Sequence, residues 1–490
     1  MSHPTFPRHH GHSHSRRQFL GLLSAATAWP QQRRPPNVVF ILADDLGWTD
    51  LGSFGSSFYR TPHIDRLARE GMRFTNAYAA CPVCSPTRAA ILTGKYPARL
   101  HLTDWIPGRT PPGVRMRVPE WTPRLPVSET TIPEMLAKQH YTSASIGKWH
   151  LGNEESYPEK QGFDVNFGGT HLGSPPDYFA PYGISNIPQA TPGEYLTDRL
   201  TSEALRFIER SKDRPFFLYL AHYAVHTPLQ AKPEMVARYR GRIRPGQSHS
   251  HPDYAAMIES LDESVGSVLR KLEELKLSAS TVVIFTSDNG GVVGRRHITS
   301  NEPLREEKAT LYEGGIRVPA IVRWPGITAP GSISDTPITS VDYFPTILDI
   351  AGLRPSAPVD GVSIVPALKG QPLQRDAIYW HYPHYNFHQP LIPTRPCGAI
   401  RKGDFKLIEF YEDNAIELYN LKEDIGERRN LARSQRAKAA ELRKDLAAWR
   451  TAVGAQMPIP APDNYDPRKT EEWMQDRFRR QSDRGGGGDR

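Results

Sequence analysis

The sequence predicts an α/β protein: a large mixed, mostly parallel sheet covered by helices on both faces, then a smaller C-terminal antiparallel sheet and a helix. Three observations predict it. Continuous apolar runs rich in β-branched and aromatic residues alternate with helix-period segments, as in strands buried on both faces. Each run ends in polar residues, at the end of the strand where open α/β sheets place their ligands. After about residue 372 the texture changes to short strands joined by tight turns.

The elements follow in chain order. Ser15-Arg16-Arg17-Gln18-Phe19-Leu20, a short apolar stretch and Ala26-Thr27-Ala28 read as a twin-arginine signal over 1–28 with a small-residue cleavage site. Val38–Leu42 is the first buried strand and runs into Asp44-Asp45. Ile64–Ala68 has helical spacing. Ser143–Ile146 is a strand leading to Lys148 and His150. Thr201–Arg210 is a helix, and Phe216–Leu220 is a strand leading through His222 to His226. Tyr254–Leu275 is a helix with Ile258, Leu261, Val265, Val268, Leu269 and Leu272 on one face. Val282–Phe285 is a strand ending before Asp288-Asn289. A catalytic domain is expected over 36–372 and an antiparallel subdomain over 373–455. The latter holds strands at Ala377–Tyr382, Ala399–Ile400, Phe405–Phe410 and Ile416–Tyr419, and a helix at Ser434–Val453. Residues 456–490 are expected to be an extended or disordered tail.

Composition narrows the function. Hydrophobic residues make up 38% and charged residues 23% of the 490, which excludes a mostly disordered chain. No apolar run reaches the ~18 residues of a bilayer span, so no stable membrane anchor is expected. Three cysteines are too few for a disulfide scaffold. Losing Arg8, Arg16 and Arg17 with the signal lowers the net charge from +8 to +5. The remaining basic residues are mixed with acids, without the stripe a nucleic acid needs. A mild positive bias suits an anionic substrate.

Asp44, Asp45, Asp288 and Asn289 form an all-oxygen set at two strand ends, suited to a hard cation such as Ca²⁺ or Mg²⁺ and not to zinc, which prefers nitrogen and sulfur. Strand-end Asp and Asn also cap helices and make turns; the paired occurrence favours a metal. In Cys81-Pro82-Val83-Cys84-Ser85-Pro86-Thr87-Arg88, Ser85 is a good N-cap and Pro86 a good first helical residue. Gly94 ends that helix. Cys84 then lies just before a helix N-terminus, where anions are favoured, and Arg88 lies one turn on. The alternative is a buried cysteine at a helix start.

Cys84-Ser85-Pro86-Thr87-Arg88, continuing to Gly94, resembles the signature of the type I sulfatases of the alkaline phosphatase-like superfamily. Further blocks of that family recur in order: Ala43–Gly47, Gly147–Gly152, His226–Pro228, Ser287–Gly290, and Lys308 through Pro319. The likeness runs from Asn37 to about Leu431. It implies that Cys84 is oxidised to formylglycine by a formylglycine-generating enzyme. It also implies that Asp44, Asp45, Asp288, Asn289 and an oxygen of modified residue 84 hold one Ca²⁺. Arg88 would hold the formylglycine, and Lys148, His226 and Lys308 would contact the sulfate. His150 would sit on the formylglycine hydroxyl, and Ser174 is the candidate for a further serine contact. Buried packing is the default for Cys81 and Cys397.

The implied reaction is hydrolysis of a sulfate monoester. One hydroxyl of the hydrated aldehyde is the nucleophile, His226 the acid for the leaving oxygen, and His150 the base on the second hydroxyl. The rivals are a phosphodiesterase or phosphonate hydrolase of the same superfamily, and a non-catalytic sulfated-glycan binding protein. The expected substrate is a sulfated sugar, with aryl sulfates also cleaved. His381 and His384 are candidates for its outer contacts, because the segment from Trp380 to His388 is dense in aromatics and histidines, the alternative being a packed strand with an exposed loop; Trp105, in His101–Trp105, is another candidate wall. The signal implies the twin-arginine export machinery and a periplasmic or secreted protein, and modification before export because that route carries folded chains.

Overall fold

The computed structural model of the chain describes residues 1, 3–5, 34–188, 190–294, 297–386 and 394–485. The twin-arginine segment, its cleavage site, Phe387, His388 and the last five residues lie outside the described residues.

The main sheet has eight strands: β1 (Asn37–Ala43), β2 (Met72–Phe74), β3 (Thr142–Gly147), β4 (Val165–Phe167), β5 (Phe216–Ala221), β6 (Thr281–Ser287), β7 (Ala320–Arg323) and β8 (Ser332–Ser334). Their order is β8-β2-β7-β6-β1-β5-β3-β4. Strands β6, β1, β5, β3 and β4 are mutually parallel, and β7 runs antiparallel to β6 and β2. The four apolar runs singled out in the sequence are therefore four adjacent central strands.

Alternation along β1 divides the core into two layers. Val39 and Ile41 pack with Ile64 and Leu67 of α1 (Pro62–Glu70), and with the buried faces of two long helices, α3 (Leu196–Ser211) and α4 (Pro252–Glu274). Val38, Phe40 and Leu42 pack on the other side with Ile91 and Leu92 of α2 (Cys84–Thr93) and Ile347 of α5 (Tyr343–Ile350). All six α4 positions marked by their spacing are buried. Helix α4 starts at Pro252, before the sequence-based start at Tyr254. Proline suits the first turn, and the His251 ring accepts the Tyr254 N–H as a cap.

The C-terminal sheet is β9 (Ala377–Tyr382), β10 (Cys397–Lys402), β11 (Phe405–Phe410) and β12 (Ile416–Asn420), antiparallel throughout. Ile400, Leu407 and Leu418 on one face meet Ala439, Leu442 and Leu446 of α6 (Arg436–Ala452). Trp380, Tyr382, Ala399 and Ile408 on the other face pack on Tyr78, Cys81, Val83, Ala309 and Ile316. The small sheet therefore lies directly behind the segments that carry Cys84 and Lys308. Cys81 and Cys397 are buried in this same apolar layer, as free thiols.

The tail differs from expectation. Ile459–Pro460 pairs with Met116–Arg117, and Pro467–Gly485 forms α7. Arg115 stacks on the Tyr465 ring at 4.3 Å, a contact between residues far apart in the chain that tail composition does not reveal. Among the described residues, no helix is long and apolar enough to cross a membrane.

Candidate active site

Each central strand delivers side chains to one rim. Strand β1 runs into Asp44 and Asp45, β6 into Asp288 and Asn289, β3 into Lys148 and His150, and β5 leads to His226. Asp45 and His150 both have positive φ, 60° and 58°, which turns the chain sharply as it leaves each strand.

Helix α2 begins at Cys84 itself, with Val83 as an N-cap that makes no side-chain bond. The expected Ser85 cap does not form: the Ser85 Oγ instead accepts the Ile106 N–H at 3.2 Å. Pro86 is tolerated in the first turn, where backbone N–H groups lack intrahelical partners. Gly94, with φ 71°, ends the helix as expected.

Charged groups pair across the rim with almost no water access. The Arg88 Nε and Nη2 donate to Asp288 Oδ2 at 2.9 and 2.8 Å, and its Nη1 to the Lys148 carbonyl at 3.0 Å. The Lys148 Nζ donates to Asp44 Oδ2 at 2.7 Å, and the Lys308 Nζ lies 2.6 Å from Asp45 Oδ1. The Asn289 Nδ2 donates to Asp45 Oδ1 at 2.8 Å, and the His226 Nε2 lies 3.5 Å from Asp45 Oδ2. Burial works against ionisation of Asp45 and Asp288. For Asp45 it is overcome by Lys308, His226 and Lys148, and for Asp288 by Arg88 and Lys148, so both carboxyls stay below the usual range. At Asp44 burial outweighs Lys148 and the carboxyl is pushed up.

This rim fits a hard cation. Among the described residues, Asp44 Oδ1 and Asn289 Oδ1 are buried oxygens without a hydrogen-bond partner. Ligand atoms of Asp44, Asp45 and His226 lie within 4.8 Å of one another. Three buried carboxylates and an amide oxygen form an oxygen-rich donor set.

Residue 84 faces a histidine of defined tautomer. The His150 Nδ1 lies 3.3 Å from the Cys84 Sγ, and its Nε2 lies 2.5 Å from the Ile106 carbonyl oxygen. A carbonyl only accepts, so the Nε2 carries the hydrogen. Burial, then the Lys148 charge, holds the ring well below its ordinary pKa, so it is neutral. Its Nδ1 lone pair therefore points at residue 84. Sequence reasoning missed the Ile106 carbonyl, because a backbone acceptor leaves no residue-type signal.

His226 is oriented differently. Its Nδ1 is 2.8 Å from the Thr227 carbonyl, which leaves Nε2 as the nitrogen facing the rim. Burial, together with Lys308 and Lys148 and against Asp45, lowers it to about 3. It is half-buried, the most exposed of these polar groups. Trp105, Gly173 and Ser174 are part-exposed too; the Gly173 backbone lies against the His150 ring, and a Cβ there would sit 2.7 Å from Nε2.

The outer contacts assigned to His381 and His384 do not hold. The His381 ring nitrogens meet the Tyr411 hydroxyl at 2.8 Å and the Gln456 carbonyl at 3.0 Å. His384 is 1% exposed, bonded to the Thr103 hydroxyl at 2.8 Å and 3.8 Å from Asp104. Both rings are interior polar links between the small sheet and neighbouring chain, which aromatic density alone does not distinguish from a sugar-binding wall.

Two deeper carboxylates were also missed. Asp50 accepts Gly47 N–H, Tyr254 O–H and Thr299 O–H at 2.7, 2.7 and 2.6 Å, and the same Tyr254 hydroxyl reaches the Asp45 carbonyl at 3.2 Å. Glu313 binds Lys406 of β11 at 2.9 Å, and Lys406 also meets Glu427 at 2.9 Å, all fully buried. This cluster fastens the small sheet to the chain that follows Lys308.

Comparison with known proteins identifies relatives of the chain. The family model described as Sulfatase matches residues 36–353, and the one described as N-sulphoglucosamine sulphohydrolase, C-terminal, matches residues 306–452. The chain is 33% identical to a sulfatase of Formosa agariphila, over 87% of this chain and 91% of that protein. It is 38% identical to the N-acetylgalactosamine-6-sulfatase of Mus musculus, over 74% and 71% respectively. The crystal structure of Ps i-CgsB in complex with k-i-k-neocarrahexaose superposes with a TM-score of 0.72 at 30% identity, covering 90% of this chain and 98% of that one.

Proposed function

Because the chain belongs to the sulfatase family, and is therefore a sulfuric ester hydrolase, we propose that it removes sulfate from a sulfated carbohydrate using a formylglycine at position 84 and one Ca²⁺. The observation that carries the reading is the His150 lone pair aimed at the side chain of residue 84 from 3.3 Å.

Asp44, Asp45, Asp288 and Asn289 would hold Ca²⁺, which supplies positive charge against the sulfate oxygens. Formylglycine at position 84, as its hydrate, would supply a nucleophilic hydroxyl and a second hydroxyl open to deprotonation. The chain's own residues do the rest. Lys148 and Lys308 are anchored on Asp44 and Asp45, so their ammonium groups are preorganised for an anion at no cost in reorientation. Arg88 fixes the Asp288 carboxylate from two of its nitrogens. The His150 Nδ1 takes a proton at residue 84, while the Ile106 carbonyl keeps that nitrogen unprotonated beforehand. The His226 Nε2, on the more open side, is placed to give a proton to the leaving oxygen once the anionic substrate has raised its proton affinity. Ser174 remains the candidate for a further substrate contact, beside Gly173, and Trp105 for a wall.

The saccharide substrate is favoured by the carbohydrates named for two of the relatives above, N-acetylgalactosamine in an N-acetylgalactosamine-6-sulfatase and k-i-k-neocarrahexaose in the complex with Ps i-CgsB. The signal over 1–28 would send the folded, already modified protein to the periplasm or beyond. Domain limits of 36–372 and 373–455 are retained as part of this reading. The test is release of inorganic sulfate from defined sulfated saccharides alongside an aryl sulfate. Turnover of the aryl ester with none of any saccharide would redirect the reading to a small sulfate ester.

A further inference from the structure

The segment from Arg99 to Leu125 carries five arginines against two acids, Asp104 and Glu120. Two of the arginines already have partners: Arg99 pairs with Asp360 at 2.7 Å, and Arg115 stacks on Tyr465. Asp104 is buried among Tyr382, the Trp105 N–H and His384, and serves neither of the exposed arginines described next.

Arg109 and Arg124 are exposed, and among the described residues neither makes an ion pair, a side-chain hydrogen bond or a ring contact. Both are anchored beside the reaction centre. Arg109 follows Ile106 by three residues, about 10 Å of chain at most. Ile106 is itself fixed at both ends: its N–H by Ser85 and its carbonyl by His150. The turn between is tight, with Gly108 at φ 68° against the Trp121 ring. Arg124 is held through the chain that follows His150. Its Cβ would be only 2.6 Å from a Cβ on Gly152, two residues after His150, and the adjacent Leu125 N–H bonds the Leu151 carbonyl at 2.9 Å.

Two guanidinium groups are thus carried on chain that is fastened beside His150, one through Ile106 and one through Gly152 and Leu151, outside a centre whose own cations are already engaged with aspartates. Guanidinium forks bind planar or tetrahedral oxyanions with two parallel hydrogen bonds. We propose that Arg109 and Arg124 form a subsite for a second anionic group, a sulfate or carboxylate, on the same saccharide that carries the scissile sulfate. The proposal rests on the saccharide sulfatase reading and adds the class of substrate: a polyanionic glycan in preference to one with a single sulfate.

The test compares kcat/KM on three otherwise matched oligosaccharides: one with the scissile sulfate alone, one with an added sulfate, and one with an added uronate carboxylate. The wild type should prefer one or both of the doubly anionic substrates. In Arg109→Ala/Arg124→Ala that preference ratio should fall at least about tenfold, mostly through KM, and Arg109→Lys/Arg124→Lys should recover part of it. Which anion gives the larger wild-type ratio identifies the source. A second arm reads binding without turnover: calorimetry on the Cys84→Ala chain, with and without the arginine pair, using the same oligosaccharides at two salt concentrations. An affinity gap between doubly and singly anionic ligands that disappears with the arginines, and shrinks with salt, supports the subsite. No wild-type preference, or an unchanged gap in the alanine pair, overturns it. Failure to release sulfate from any ester would defeat the functional reading, while the calorimetric arm would still decide the subsite.

Discussion

The His150 ring presents a lone pair, not a proton, to residue 84, because the Ile106 carbonyl holds its other nitrogen at 2.5 Å. In the proposed reaction a base so placed acts after the leaving alcohol has gone. His150→Ala should therefore lower steady-state turnover by about 10²–10⁴-fold. Rapid-mixing kinetics on an aryl sulfate should show a burst of phenol near one equivalent per site, followed by slow turnover. Loss of the burst together with turnover would place His150 in the first step instead.

Metal content is the second expectation. One tightly held Ca²⁺ per chain should be found by elemental analysis, and Asp288→Ala should remove it and release the Arg88 anchor with it. Calcium binding followed by calorimetry on chelated protein checks this independently of turnover. Full activity in metal-free protein would contradict the assignment.

Much of this centre was legible in the chain. Four apolar runs ending in polar residues became the four adjacent strands β6, β1, β5 and β3, because a strand buried on both faces has little choice but the middle of a sheet. The side chains of Asp44, Asp45, Asp288, Asn289, Lys148, His150, His226, Arg88, Lys308 and Cys84 do converge. What sequence could not supply were backbone partners such as the Ile106 carbonyl, and the interior fate of His381 and His384. Their burial depends on strand pairing with distant chain. The Ser85 cap failed for the same reason, since a tertiary partner, the Ile106 N–H, competed for its hydroxyl.

Asp104 gives a pH signature. Burial, against the Tyr382 and Trp105 hydrogen bonds, raises its carboxyl to about 8. The neighbouring His384 is lowered to about 3 by burial and then His381, so it offers no compensating charge. With the unfolded carboxyl near 3.8, the folded state binds the extra proton between those values. The Asp104 contribution to stability is therefore fully present at low pH and falls as pH rises from about 4 through 8. Asp104→Asn mimics the protonated acid. Relative to this variant, the wild-type melting temperature should decline between pH 5 and 9; parallel curves would refute an elevated Asp104.

The buried Glu313–Lys406–Glu427 cluster should matter to stability more than any exposed ion pair. Lys406→Ala leaves two carboxylates buried without their ammonium partner, and urea denaturation should show a loss of about 3–5 kcal/mol. A loss below about 1 kcal/mol, the range of surface pairs, would mean that the cluster relaxes freely.

The central claim is the chemical identity of residue 84, and peptide mass spectrometry of active, purified protein reads it most directly. The peptide spanning Cys84 and Arg88 should carry an aldehyde in place of the thiol, in proportion to specific activity across preparations, and Cys84→Ser should be inactive while melting like the wild type. A fully active preparation in which residue 84 is an unmodified cysteine would contradict the account.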